Sequence, residues 1–171
     1  MAEVLLRHRF ADLGLEAQVA SAGLLQSGQP ASAHGVDILS GRGLDMTAHR
    51  SRSMSREILS SAHLILGMAR EHVREAVVLD PALWHRTFTL KELVRRGEAV
   101  GPRQASESLA DWLERVGQGR RIAELTGSSP ADDVADPIGG PRSAYERMAA
   151  ELDDLIGRLV AVAFAGALTP R

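Results

Sequence analysis

The sequence predicts an α/β fold. Segments with helical spacing of apolar residues alternate with short extended runs rather than clustering by type. The last of these segments carries a continuous apolar stripe on one face. A chain of 171 residues at 44% hydrophobic content can bury one core and is too short for two comfortable ones. No internal repeat or low-complexity linker divides it, so a single domain over residues 1–171 is expected.

The chain opens inside a helix: Val4, Leu5, Phe10 and Leu13 fall near helical spacing over residues 1–13, and Gly14 follows as a stop. Residues 17–22 read as extended. Pro30 introduces a second helix through Arg42, ended by Gly43, and a polar connection over 45–55 leads to a short helix over 56–60. The run His63-Leu64-Ile65-Leu66 has the continuous apolar character of a buried strand. A helix over 70–79 and a strand over 86–90 come next. Thr89-Leu90-Lys91-Glu92 then has the pattern of a capping box, in which Glu92 reaches back to the helix start. Trp84 and Phe88 are expected to pack. The stretch 97–130 is polar, with one helix over 109–116, and is expected to be the most variable and mobile part. In the final helix Tyr145, Met148, Leu152, Leu155, Ile156, Leu159 and Ala163 form one stripe, which marks it as core-packing.

Composition narrows the function. Twenty basic against 22 acidic side chains give a net charge of −2, which favours neither nucleic acid nor an anionic membrane. The longest apolar stretch, 159–168, is about half of the roughly 20 residues a membrane span needs. The expectation is therefore a soluble, cytoplasmic protein with no membrane and no nucleic-acid partner. There is no cysteine, which removes disulfides, zinc–thiolate sites and any thiolate nucleophile from this chain. His8, His34, His49, His63, His72 and His85 show no paired i, i+4 ligand motif, so neither a metal nor a cofactor is expected.

Two segments stand out. His49-Arg50-Ser51-Arg52-Ser53 has the composition of a loop that binds phosphate or RNA, though an ordinary hydrogen-bonded solvated loop is the commoner reading of such a run. Asp136-Pro137-Ile138-Gly139-Gly140-Pro141 precedes the final helix. Proline biases Asp136 to an extended backbone, the glycines permit a tight reversal, and Pro141 suits a helix start. By itself this is a structural turn, the commoner use of Asp, Gly and Pro, ahead of a catalytic acid at Asp136.

Several pieces, in order, resemble the low-molecular-weight protein-tyrosine phosphatase family. Met1-Ala2-Glu3 resembles the helix after that family's phosphate loop, and Ser21-Ala22-Gly23 the end of its second strand. Arg42-Gly43-Leu44-Asp45 and His49-Arg50-Ser51-Arg52 are similar to its next helix end and loop, followed by Leu64-Ile65-Leu66-Gly67-Met68 and Asp136-Pro137-Ile138-Gly139-Gly140. The resemblance implies a three-layer α/β/α fold whose four-stranded parallel sheet has its first strand in the interior. It implies phosphate monoester hydrolysis through a phosphocysteine on a Cys-x5-Arg-Ser loop, with a phosphotyrosine protein or small phosphate ester as substrate. Asp136 matches the family's general acid, which protonates the leaving group and later activates water. Ser21 and His49 match positions that help order the phosphate loop by hydrogen bonding.

Two departures qualify this. Cys-x5-Arg-Ser does not occur in the chain, so the resemblance implies an N-terminally truncated domain without its first strand, inactive as given. Its true start would lie about twenty residues upstream. Loss of an interior strand removes several aliphatic side chains worth about 1.5–3 kcal/mol each, against the about 5–15 kcal/mol that keeps a domain folded. The 171-residue chain alone is accordingly expected to be poorly soluble or partly unfolded. Secondly, Ile138 stands where family members commonly carry an aromatic residue that packs on a substrate ring. The alternative is a noncatalytic phosphatase-like protein that binds a partner. An arsenate-reductase role would require additional cysteines and ranks last.

Overall fold

The computed structural model describes residues 1–164, so the end of the 159–168 apolar stretch lies outside the described residues. They form two compact units: Met1–Ser53 with Ala135–Ile156, and Met54–Val134 with the residues from Gly157 onward.

In the first unit, α1 spans Ala2–Asp12 and buries Leu5 and Phe10. It stops where the sequence indicates: Gly14 takes φ +64°, and the Leu15 amide folds back onto the Phe10 carbonyl at 2.9 Å. α2 spans Ala33–Ser40, capped by Ser32, whose Oγ accepts from the Gly35 amide at 3.2 Å. It begins three residues after Pro30 because Pro30 is held in an antiparallel bridge with Arg50. That bridge belongs to a zipper between 23–30 and 50–53. Within it, Gly23 N–H donates to Arg52 O at 2.8 Å, Gly28 N–H to Ser51 O at 2.8 Å, and Ser51 N–H to Gln29 O at 2.9 Å. Ile38, Tyr145 and Ala149 form this unit's buried cluster, with Met1 and Met148 packed against it.

Residues 17–22 are extended, as the sequence indicates, but Ser21-Ala22-Gly23, expected by resemblance to end a strand, belong to none. Gly23 makes only an isolated parallel bridge to Ser53. A strand exists only where a neighbouring strand takes up its amides and carbonyls, and among the described residues the Val19 and Ser21 carbonyls are met by the side chains of Arg7 and Arg52 instead.

The second unit holds the sheet. α3 spans Arg56–Ser60, capped by Ser55, and is followed by β1, Ile65–Gly67. α4 spans Arg70–Leu79, a 3-10 turn covers Pro81–Arg86, and β2 spans Thr87–Thr89. β1 and β2 pair in parallel, with Ile65 opposite Thr87, Leu66 opposite Phe88 and Gly67 opposite Thr89. Parallel strands need a crossover of a dozen or more residues, and α4 supplies it. Among the described residues the sheet has these two strands. Leu59, Ala76 and Leu83 form a core beside them, and every β2 residue is buried.

α5 spans Leu90–Val100 and α6 spans Leu109–Gly117. Thr89 caps α5 as anticipated, its Oγ1 accepting from the Glu92 amide at 3.0 Å. The other half of the capping box does not form, because the Glu92 carboxylate is claimed by Arg120. Arg120 Nε donates to Glu92 Oε1 at 2.7 Å and Nη2 to Oε2 at 3.0 Å, with both residues buried. The Arg120 guanidinium lies over the Trp84 ring, 3.8 Å from its centroid, and over the Phe88 ring at 3.7 Å. The two aromatics expected to pack thus do so around a cation. The polar stretch after α5 is anchored by the buried Trp112, Leu113 and Val116 of α6, and Trp112 Nε1 donates to Gly101 O at 3.2 Å.

α7 spans Arg142–Ala163, its residues through Ile156 belonging to the first unit. The predicted stripe is present: Tyr145, Leu152, Leu155, Ile156, Leu159 and Ala163 are buried, joined by Ala149 and Val160. Among the described residues no helix is long and apolar enough to cross a membrane.

Candidate functional site

Ser21 and His49 meet at a carboxylate that pattern reading did not single out. Glu3 lies in the first turn of α1, where the unpaired amides of the helix favour a negative charge. Its Oε2 accepts a hydrogen bond from Ser21 Oγ, and its Oε1 one from Arg7, one turn along the same helix. His49 Nδ1 stands 3.9 Å from Glu3 Oε2. Arg7 also donates to Val19 O at 3.0 Å, tying the extended segment to α1.

The loop carrying His49 is shaped locally. Asp45 Oδ1 accepts from the Thr47 amide at 2.8 Å and its hydroxyl at 2.7 Å, closing a turn. The His49 amide then donates to Met46 O at 3.1 Å. Arg50 Nη1 reaches Thr47 O at 3.0 Å and His49 O at 2.7 Å, while Arg52 Nε reaches Ser21 O at 3.2 Å. These arginines brace backbone carbonyls of their own neighbourhood, so the segment is built as a hydrogen-bonded loop.

Burial acts to raise the Glu3 pKa, but the Ser21 hydrogen bond and the Arg7 charge outweigh it, with a smaller contribution from His49. The carboxyl is held below the usual range. Both oxygens are engaged, so Glu3 organises the start of α1 and is not free to act as a base. The sign of the pH effect follows. A depressed carboxylate stabilises the fold above its unfolded pKa, and that contribution is lost as pH falls through the lower folded value. Ser21→Ala removes one hydrogen bond to the anion. The Glu3 pKa is expected to rise and acid unfolding of the first unit to begin at higher pH, read by carboxyl NMR titration and circular dichroism. An unchanged titration would show that Ser21 does not hold Glu3.

Asp136 lies on a separate stretch of the first unit. Its Oδ1 accepts from the Ile138 amide at 3.0 Å, Gly139 takes φ +72°, and the Gly140 amide donates to Pro137 O at 2.8 Å. The reversal is tight: a Cβ on Gly140 would lie 2.9 Å from Pro137 O. Asp136 is exposed, and among the described residues its Oδ2 has no hydrogen-bond partner. The turn fixes one oxygen and leaves the other open to solvent. Ile138 is 71% exposed beside it.

The sequence-predicted residues therefore fall into two groups. Ser21 and His49 are joined through Glu3, whereas no hydrogen bond or ion pair links Asp136 to them. The signal that could have revealed Glu3 and Arg7 is their i, i+4 charge pairing at a helix start; their link to Ser21 is tertiary. Among the described residues no group of three or more His, Asp or Glu could hold a metal ion.

Comparison with known proteins identifies relatives of this arrangement. The family model for low molecular weight phosphotyrosine protein phosphatase matches residues 1–101. A protein-arginine-phosphatase of Geobacillus stearothermophilus is 29% identical over 143 residues, covering 83% of this chain and 74% of the relative. A low molecular weight protein-tyrosine-phosphatase of Escherichia coli K12 is 27% identical over 93 residues, covering 52% of this chain and 63% of that protein. The crystal structure of a low molecular weight protein tyrosine phosphatase from T. tengcongensis superposes with a TM-score of 0.69 at 30% identity, covering 94% of this chain and 87% of that one.

Proposed function

Because the chain belongs to the low molecular weight phosphotyrosine protein phosphatase family, we propose that it is the acid-bearing part of a phosphomonoester hydrolase domain of that family. Asp136 would be its general acid. The observation that carries this reading is the Asp136–Gly140 turn, which holds one carboxylate oxygen on the Ile138 amide and presents the other to solvent. A carboxyl so placed can give a proton to a leaving oxygen or nitrogen and take one back from attacking water.

Ser21 and His49 are positioning residues in this proposal. Through Glu3 they hold the first turn of α1, the helix that in this family follows the phosphate loop. Ile138 offers an aliphatic surface where an aromatic residue would grip a phenyl ring, so the proposed site has little intrinsic preference for aryl phosphates. The relatives include both a protein-tyrosine-phosphatase and a protein-arginine-phosphatase, and phosphorylated protein side chains are the proposed substrate class.

The polypeptide contains no cysteine, so by itself it forms no phosphocysteine. That same observation favours a second reading, a noncatalytic partner-binding member of the family. The expected result for the 171-residue polypeptide is no hydrolysis of p-nitrophenyl phosphate or of a phosphoarginine peptide above the buffer rate. Hydrolysis that a segment bearing Cys-x5-Arg-Ser placed ahead of Met1 confers would support the enzymatic reading. Turnover by the cysteine-free polypeptide would overturn it, and a folded, inactive fusion would favour the partner-binding one.

A further inference from the structure

A second charged concavity lies at the other end of α1 from Glu3. It has a volume of about 210 Å³ and is lined by Leu5 and Leu44 together with Arg9, Arg42, Asp153, His8 and Asp12. The two guanidiniums face a single half-exposed carboxylate. Arg9 Nη2 donates to Asp153 Oδ1 at 3.3 Å, while Arg42 Nη1 is 4.0 Å from Oδ2 and donates to Ala149 O at 3.4 Å. His8 and Asp12 are engaged with each other at 3.4 Å.

The Arg9–Asp153 pair differs from the two-bond ion pairs made by Arg158 and Arg115. Arg158 grips Glu98 with two bonds of 2.7 and 2.8 Å, and Arg115 grips Glu107 with two of 3.0 and 2.9 Å. Each guanidinium carries five donors in a planar fork, and Asp153 gives Arg9 a single bond of 3.3 Å while lying 4.0 Å from Arg42. A tetrahedral oxyanion has enough oxygens to serve both forks at once, which one carboxylate shared at these distances does not do.

We propose that the Arg9–Arg42 groove binds phosphate or a phosphomonoester, with Asp153 as a built-in competitor that the ligand displaces. The site is distinct from the Glu3–Ser21–His49 group, and the proposal does not depend on the phosphatase reading, since it needs no cysteine. It predicts opposite effects for neighbouring substitutions. Arg42→Ala should weaken binding about tenfold or more, while Asp153→Asn, which removes the competing charge, should tighten it about tenfold.

The test is NMR titration of the 171-residue chain with inorganic phosphate, against sodium chloride of equal ionic strength, following the Arg9 and Arg42 Nε–H signals. Saturable shifts confined to these residues, lost in Arg42→Ala and reached at lower concentration in Asp153→Asn, are expected. The gain in Asp153→Asn cannot come from unfolding. Shifts that fail to saturate, that chloride reproduces, or that Asp153→Asn leaves at the same midpoint would overturn the proposal.

Discussion

Arg120→Met is expected to destabilise the second unit by about 3–5 kcal/mol. The Arg120 guanidinium is buried, binds both Glu92 oxygens, donates to Trp84 O at 3.1 Å and Thr87 O at 2.8 Å, and lies against two aromatic faces. Burial pulls its pKa down against the opposing pull of Glu92. Methionine keeps much of the volume but leaves the Glu92 carboxylate buried beside Arg96, 3.2 Å away, with no bidentate partner. The cost is therefore mostly that of a stranded charge and not of lost attraction. The double variant Arg120→Met/Glu92→Leu should recover most of the loss, because it removes the charge as well. Urea unfolding followed by Trp84 and Trp112 fluorescence measures both. A single variant that loses less than about 1 kcal/mol would show that water or Arg96 already solvates Glu92.

Asp136→Asn should slow first-turnover release of poor leaving groups about 10²–10⁴-fold, in a chain supplied with Cys-x5-Arg-Ser ahead of Met1. The effect should shrink as the leaving group becomes more acidic and needs no proton. Asparagine can still accept from the Ile138 amide, so the turn should persist; unchanged hydrogen-exchange protection at Ile138 separates lost chemistry from lost structure. Equal losses in first-turnover release for good and poor leaving groups would contradict an acid role.

The elements readable from sequence were those fixed by local chemistry. α3 and α4 fall on their expected residues, as Ser55 caps the one and the 70–79 periodicity sets the other. Gly14 stops α1 through a left-handed conformation that glycine adopts without strain. The misreadings arise where a distant partner decides. Pro30 looked like a helix start but is committed to a bridge with Arg50, twenty residues away. Ser21-Ala22-Gly23, expected by resemblance to end a strand, have no strand beside them. Glu92 has the spacing of a capping box, yet a guanidinium 28 residues on binds it more strongly than the Thr89 amide could.

The site divides in the same way. The turn at Asp136 was legible because Asp-Pro-x-Gly-Gly is self-contained, whereas an acid role for Asp136 was suggested only by resemblance. Ser21 and His49 were legible only by resemblance, since nothing in their own neighbourhoods brings them together. The residue that does so, Glu3, reads as an ordinary helix-start carboxylate until the extended segment and the His49 loop are folded against it.

The most direct test of the reading is intact-mass analysis of the chain carrying Cys-x5-Arg-Ser ahead of Met1, quenched seconds after mixing with p-nitrophenyl phosphate. A phosphoryl group on that cysteine, transient with Asp136 present and accumulating in Asp136→Asn, is the predicted result, because the activated leaving group departs unaided whereas hydrolysis of the phosphocysteine requires the carboxylate. No adduct in either protein, or one that turns over equally fast in both, would contradict the assignment of Asp136 to this chemistry.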